Sequence, residues 1–195
     1  MCFAHLLDKF LPFGRINTFI MLSLTRNFCN FAADFDHIPL FRPIMSKEEN
    51  YQQLVSGLKA IIEGETDMIA VMSNVAAEIH QTMKFWWTGF YRVKDGELIL
   101  GPFQGPIACM HIAYGRGVCG TAWKKEETII VPDVEQFPGH IACSSQSRSE
   151  IVVPVFDKEK KVIAVLDIDS EHLSTFDETD QKYLEEICSL IPTDI

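Results

Sequence analysis

Cys109, Cys119 and Cys143 are three of the six cysteines in this chain, and they share one stretch of sequence with His111 and His140. The surrounding residues are glycine and small polar types: Gly115-Arg116-Gly117, Pro138-Gly139-His140 and Ser144-Ser145. Such segments make loops, and loops on a rigid scaffold carry function. Three readings of the thiols stand open. Each cysteine can be a small buried hydrophobe. Cys109, Cys119 and Cys143 with a histidine can bind zinc, although closed zinc sites show two short-spaced ligand pairs and only His140-Ile141-Ala142-Cys143 supplies one. Or one thiol attacks a substrate and another resolves it to a disulfide.

Carboxylates accompany the thiols. Asp167 and Asp169 alternate along the apolar run Val165–Asp169, so a strand there puts both on one face. Two acids on one buried face raise at least one pKa, which suits a proton donor, while an ionised one can hold an ammonium group. The plain alternative is a strand end with both acids solvated. Glu150 lies in a second apolar run. Trp87 and Tyr91 are also spaced for one face, where aromatics can line a ligand pocket or simply pack the core.

These residues need a scaffold, and the patterning supplies one. Leu54, Leu58, Ile61 and Ile62 fall at helical spacing until Gly64 breaks the run. Thr66 is positioned to cap a second helix carrying Met68, Ile69, Met72, Val75, Ala76 and Ile79 on its apolar side. The segment Trp87–Val93, the pair Asp95-Gly96 and the segment Glu97–Leu100 read as a hairpin. Further strands are expected at Ile107–Ile112, Thr128–Val131, Ile151–Phe156 and Val162–Ile168, with the glycine-rich Gly101–Pro106 as a loop. Gly117–Lys124 reads as a short helix. Asp177–Leu190 is a closing amphipathic helix with Phe176, Tyr183, Leu184, Ile187 and Leu190 inward. Helices at both ends of hairpin-connected strands indicate an α+β domain built on an antiparallel sheet.

Composition excludes several classes. The 195 residues carry 17 basic and 27 acidic side chains, a net charge of -10, with no basic cluster to offset it. Nucleic-acid binding is disfavoured. Hydrophobic residues at 47% and charged residues at 23% fit an ordered globular chain. Cysteines are too sparse for a secreted disulfide scaffold, and no CxxC pair occurs, so a cytoplasmic protein with functional thiols is expected. Residues 1–44 are apolar without period. Their best run, Ile16–Leu24, falls short of a membrane span, and Asp8 and Pro12 spoil a signal peptide. Lys9, Arg15 and Arg26 make a mitochondrial transit peptide the lesser reading. Met45-Ser46-Lys47-Glu48-Glu49 resembles an ordinary start, so 1–44 reads as an extension and 45–195 as the domain proper.

Trp87–Ser170 resembles the free methionine-(R)-sulfoxide reductase family, a catalytic branch of the GAF domains. The matching blocks are W-x-G-F-Y at Trp87–Tyr91, L-G-P-F-Q-G at Leu100–Gly105 and I-A-C at Ile107–Cys109. They continue as G-R-G-V-C-G at Gly115–Gly120, G-H-I-A-C at Gly139–Cys143, S-E-I-V-x-P at Ser149–Pro154 and V-L-D-I-D-S at Val165–Ser170. Looser similarity covers Glu48–Leu190, which implies a GAF-like catalytic domain over 45–195; residues 1–44 have no counterpart in the family's usual pattern, and the last helix is shortened against it. The resemblance implies a GAF-like antiparallel sheet flanked by N- and C-terminal helices. It implies reduction of the R-epimer of free methionine sulfoxide, with thioredoxin as external reductant and no bound cofactor or metal. Cys143 is then the nucleophile and Cys109 the first resolving thiol. Cys119, at the start of the short helix where the macrodipole favours thiolate, is a second resolver. Glu150, Asp167 and Asp169 supply the proton and bind substrate, with Trp87 and Tyr91 around its sulfur. Similar domains dimerise through their terminal helices, which makes a homodimer an expectation here. The alternative is a non-catalytic GAF sensor for a small ligand, whose pocket would have no need of three cysteines.

Overall fold

Asp95 and Gly96 both take positive φ, 53° and 85°, the backbone of a two-residue hairpin turn whose twist matches the flanking strands. That turn joins β1 (Trp87–Lys94) to β2 (Glu97–Gln104), in register from Lys94 opposite Glu97. The structure is a computed structural model that describes residues 45–141 and 145–193. The readings made on residues 1–44 and on Cys143 therefore lie outside the described residues. The remaining elements are α1 (Lys47–Ile61), α2 (Met68–Met83), β3 (His111–Ala113), α3 (Gly117–Lys125), β4 (Ile129–Val131), β5 (Ser149–Phe156), β6 (Val162–Ser170) and α4 (Glu178–Cys188). The strands form one antiparallel six-stranded sheet in the order β3-β2-β1-β6-β5-β4. The fold is α+β, as expected. Among the described residues no helix is long and apolar enough to cross a membrane.

The sheet has two covered faces. On one, Phe90, Ile151, Val153, Val155, Ala164, Leu166 and Ile168 pack against Leu54, Leu58, Met72, Val75, Ile79, Leu184 and Ile187 from α1, α2 and α4. Helix starts are capped from the side chain: Ser46 and Asp177 each form a reciprocal capping box, and Asp67, not the expected Thr66, accepts the Ala70 N–H. Tyr51 stacks on Tyr183 at 5.3 Å and donates to the buried Asp180, which also pairs with Lys47 and so ties α1 to α4. Ile61 and Ile69, assigned to apolar stripes by spacing, are instead exposed by 57% and 37%, because each lies at the margin of its helix's buried face.

The opposite face carries a smaller cluster: Trp87, Tyr91, Leu98, Ile112, Val118, Cys119, Ala122, Val131, Val152 and Val165, covered by α3 and loops. Two strand expectations need correction here. Gly101–Gln104 is strand, not loop; β2 bulges between its pairings of Leu100 with Tyr91 and Phe103 with Gly89. Conversely, the strand expected at Ile107–Ile112 reduces to His111–Ala113. The carbonyls of Pro106 and Cys109 accept from side chains, the Trp87 indole N–H and the Tyr91 hydroxyl, each at 3.0 Å. Side-chain donors take the place of a ladder, and the segment leaves the sheet.

Candidate active site

Strand register builds the site. β5 and β6 each run two residues further along their outer ends than the apolar patterning indicated, which brings Glu150 and Asp169 into the ladder. Glu150 on β5 stands opposite Asp169 on β6, and Asp169 stands opposite Trp87 on β1. One step along, Val152, Asp167 and Gly89 form the next row. The alternation that turns Leu166 and Ile168 to the helices turns Asp167 and Asp169 to the other face. Glu150 and Asp167 are buried, so the solvated strand end weighed above does not occur.

Gly89 leaves room for the aromatic wall. A Cβ on it would lie 2.4 Å from the Phe103 Cβ and 2.5 Å from the Trp87 ring. With hydrogen there, Trp87 stacks between Phe103 at 5.5 Å and Tyr91 at 6.0 Å. Gly120 does the same for α3, where a Cβ would meet the Ala113 carbonyl at 2.6 Å. This close approach sets α3 against the strand end and brings Cys119 over the carboxyls.

The acids, the aromatic pair and Cys119 line one cavity, open to solvent. Trp86, Ile107, Arg116, His140, Ile141 and Ser147 complete much of its wall. Burial is the main reason the Glu150 and Asp167 carboxyls sit well above the usual carboxylate range. The neighbouring negative charges add to it, Asp167 and Asp169 for Glu150 and Asp169 for Asp167. Asp169 is less enclosed; burial raises it to about 6, against a hydrogen bond with Ser147 that favours the ionised form. His140 Nε2 lies 4.0 Å from Glu150 Oε2. Burial lowers the histidine pKa and raises that of the acid, so the two meet as neutral groups.

Cys119 corrects an expectation. The thiol is free, buried and 3.9 Å from Glu150 Oε1, to which it donates. Burial and then the facing Asp167 and Glu150 push its pKa well above the ordinary thiol value, so it is not the thiolate that a helix start suggests. A terminal half-charge spread over solvated N–H groups is outweighed by desolvation next to acids. Cys109 is disulfide-bonded, with neither Cys119 nor Cys188 as its partner. In that disulfide Cys109 offers no thiolate to a metal. Among the described residues the metal-capable cluster is Cys119, Glu150 and Asp167, with donor atoms within 4.8 Å of one another.

The structure thus brings together Trp87, Tyr91, Cys119, Glu150, Asp167 and Asp169. Cys109 reaches this group through its carbonyl, which accepts from the Tyr91 hydroxyl. Trp86 and Ser147 were missed. Trp86 reads in sequence as a lead-in to β1, and Ser147 as one more small residue in a polar loop.

Residues 65–192 match the GAF domain family. The chain is 54% identical to the GAF domain-containing protein A of Dictyostelium discoideum over 147 residues, 75% of this chain and 92% of the relative. It is 40% identical to the free methionine-R-sulfoxide reductase of Saccharomyces cerevisiae over 164 residues, 80% of this chain and 91% of the relative. The crystal structure of free methionine-R-sulfoxide reductase from Neisseria meningitidis, in complex with its substrate, superposes with a TM-score of 0.74 at 47% identity, covering 76% of this chain and 89% of that one. On that likeness, carried through the strands that hold the acids, the chain belongs to the GAF-domain family, in its free methionine-R-sulfoxide reductase branch.

Proposed function

We propose that this chain reduces the R-epimer of free methionine sulfoxide to methionine, in a cytoplasmic setting, with thioredoxin supplying the electrons. The observation that carries the reading is the buried acid cluster beside a thiol and an aromatic wall in one cavity. A sulfoxide oxygen is a poor leaving group and needs a proton as sulfur is attacked. Carboxyls held neutral by burial supply that proton near neutral pH. Arginine does not give up a proton usefully, and partial burial lowers the pKa of His140, which leaves it a poor proton store near neutral pH.

In this reading the Cys143 thiol attacks the substrate sulfur. The thiol proton and a second proton from Glu150 or Asp167 let the S–O bond break and the oxygen leave as water, with Cys143 bonded to the substrate sulfur as a sulfonium. Water then adds to the Cys143 sulfur as the S–S bond breaks, returning the proton to the carboxylate, releasing methionine and leaving Cys143 as a sulfenic acid. The Cys109 thiol then displaces that oxygen as water and forms a disulfide, which a thioredoxin dithiol reduces to two thiols. Supporting the choice of Cys109 over Cys119 as resolver, Cys109 is disulfide-bonded while Cys119 is a free thiol held protonated. Asp169, raised only to about 6, is ionised at neutral pH and suits the substrate ammonium group. The stacked Trp87 and Tyr91 suit its methyl–sulfur end. The sensor alternative gains nothing from an acid cluster of this kind.

The test is methionine release from each sulfoxide epimer with dithiothreitol as reductant. Only the R-epimer should react, and Cys143→Ser should abolish release. Cys109→Ser should spare the first methionine released and lose thioredoxin-driven recycling. Release from neither epimer, or full turnover by Cys143→Ser, would overturn the reading.

A further inference from the structure

We propose that the strip Ile107–Met110, with Arg116 and Lys124 beside it, is the surface on which the protein dithiol docks to reduce the Cys109 disulfide, and that this partner presents an apolar contact rimmed by acids. The proposal rests on the reductase reading and deepens it. In that reading a thiolate of the partner attacks a sulfur of the Cys109 disulfide, and a mixed S–S bond forms as the old one breaks. The partner's second thiol then displaces the mixed bond. Two electrons and two protons pass to this chain as two thiols, and the partner leaves as a disulfide. Cys109 is half-buried, so whatever carries that thiolate must cover the residues around it.

Those residues are apolar and face solvent. Ile107 and Met110 are exposed by 91% and 69%. Neighbouring exposed apolar side chains rimmed by polar groups mark interaction sites. The backbone beneath them is fixed. The Pro106 carbonyl accepts from the Trp87 indole, the Cys109 carbonyl from the Tyr91 hydroxyl and the Met110 carbonyl from the Leu100 N–H, each at 3.0 Å. A strip tied at three carbonyls holds its side chains outward, and covering it costs little ordering of the chain.

Charge sets the partner's character. The whole chain carries -10, yet residues 98–125 contain no acid and hold Arg116, Lys124 and Lys125. Arg116 lines the same cavity as Ile107, which places both at its mouth. The Lys124 stem lies over the neighbouring turn, where a Cβ on Gly115 would stand 3.1 Å from its Cδ. Arg116 and Lys124 are exposed, and neither pairs with an acid among the described residues, whereas Lys125 pairs with Glu127. An apolar strip with two cations at its edge suits an acidic partner and repels a basic one.

The experiment compares two reductants on the full chain at saturating methionine sulfoxide: dithiothreitol, and thioredoxin kept reduced by its reductase and NADPH. Met110→Ser should lower kcat/KM for thioredoxin about tenfold, the value of an apolar side chain buried at an interface, and keep the dithiothreitol-driven rate within about twofold. Lys124→Glu should lower kcat/KM for thioredoxin about fivefold at low salt, with the gap closing at high salt. Lys59→Glu makes the same change of charge on α1, across the sheet, and should leave kcat/KM within about twofold. Unchanged thioredoxin kinetics in Met110→Ser and Lys124→Glu, equal losses with both reductants, or equal effects of Lys59→Glu and Lys124→Glu would overturn the docking surface alone. A parent driven by dithiothreitol but not by thioredoxin would overturn the surface and leave sulfoxide reduction standing. A parent that reduces methionine sulfoxide with neither would instead sink the reductase reading, and the surface with it.

Discussion

Replacing Asp169 with asparagine should stabilise the fold at neutral pH while impairing the enzyme. Burial raises the Asp169 carboxyl from 3.8 to about 6. Each unit is worth about 1.4 kcal/mol, so full ionisation costs the folded state about 3 kcal/mol. Asp169 opens partly onto the cavity, so about 2 kcal/mol is the fairer figure. Below about pH 4 both folded and unfolded chains hold the proton and the cost is absent. Between about pH 4 and 6 the unfolded chain releases the proton while the fold retains it, so stability falls as pH rises. Above about pH 6 the full cost is present. Asparagine carries no charge and its carbonyl still accepts from Ser147. Urea unfolding of parent and variant should therefore coincide near pH 4 and separate by about 2 kcal/mol at pH 7, with the variant the more stable. The Asp169 charge also helps to raise Glu150 and Asp167, so single-turnover release by the variant should fall off at lower pH than in the parent. A stability gap that is absent, or equal at both pH values, would refute the argument.

Gly89→Ala should cost about 1–3 kcal/mol, because its Cβ would stand 2.4 Å from the Phe103 Cβ and displace the Trp87 ring. An unchanged melting temperature with full activity would contradict that packing. Iodoacetamide at neutral pH should leave Cys119 unlabelled in the native chain and label it after unfolding, read by peptide mass spectrometry; rapid native labelling would mean an accessible thiolate. A chain beginning at Met45 should fold and turn over like the full chain, and a large loss of kcat/KM would show that residues 1–44 contribute to the domain.

Local patterning made much of the architecture legible. Asp95-Gly96 marked the hairpin because few residues accept two successive positive φ values. The alternation of Val165–Ser170 put Asp167 and Asp169 on one face before any partner strand was known. The misreadings share a cause. Ile107-Ala108-Cys109-Met110 reads as an apolar run, yet Ile107 and Met110 are exposed by 91% and 69%, since Trp87 and Tyr91 claim the carbonyls of Pro106 and Cys109. Neither donor is near that segment in sequence.

From its sequence alone this chain was determined to be an α+β domain with helices at both ends of a hairpin-built sheet, and its motif blocks pointed to the right family. Helix periodicity, strand alternation and turn chemistry are short-range, so one chain of letters carries them. Only the tertiary structure decided that Glu150 stands across from Asp169, that Cys119 is a protonated thiol rather than a thiolate, and that Trp86 holds a buried indole N–H without a partner. Register joins residues distant in sequence, and a pKa depends on what covers a group and which charges face it. Both are set by packing from other elements.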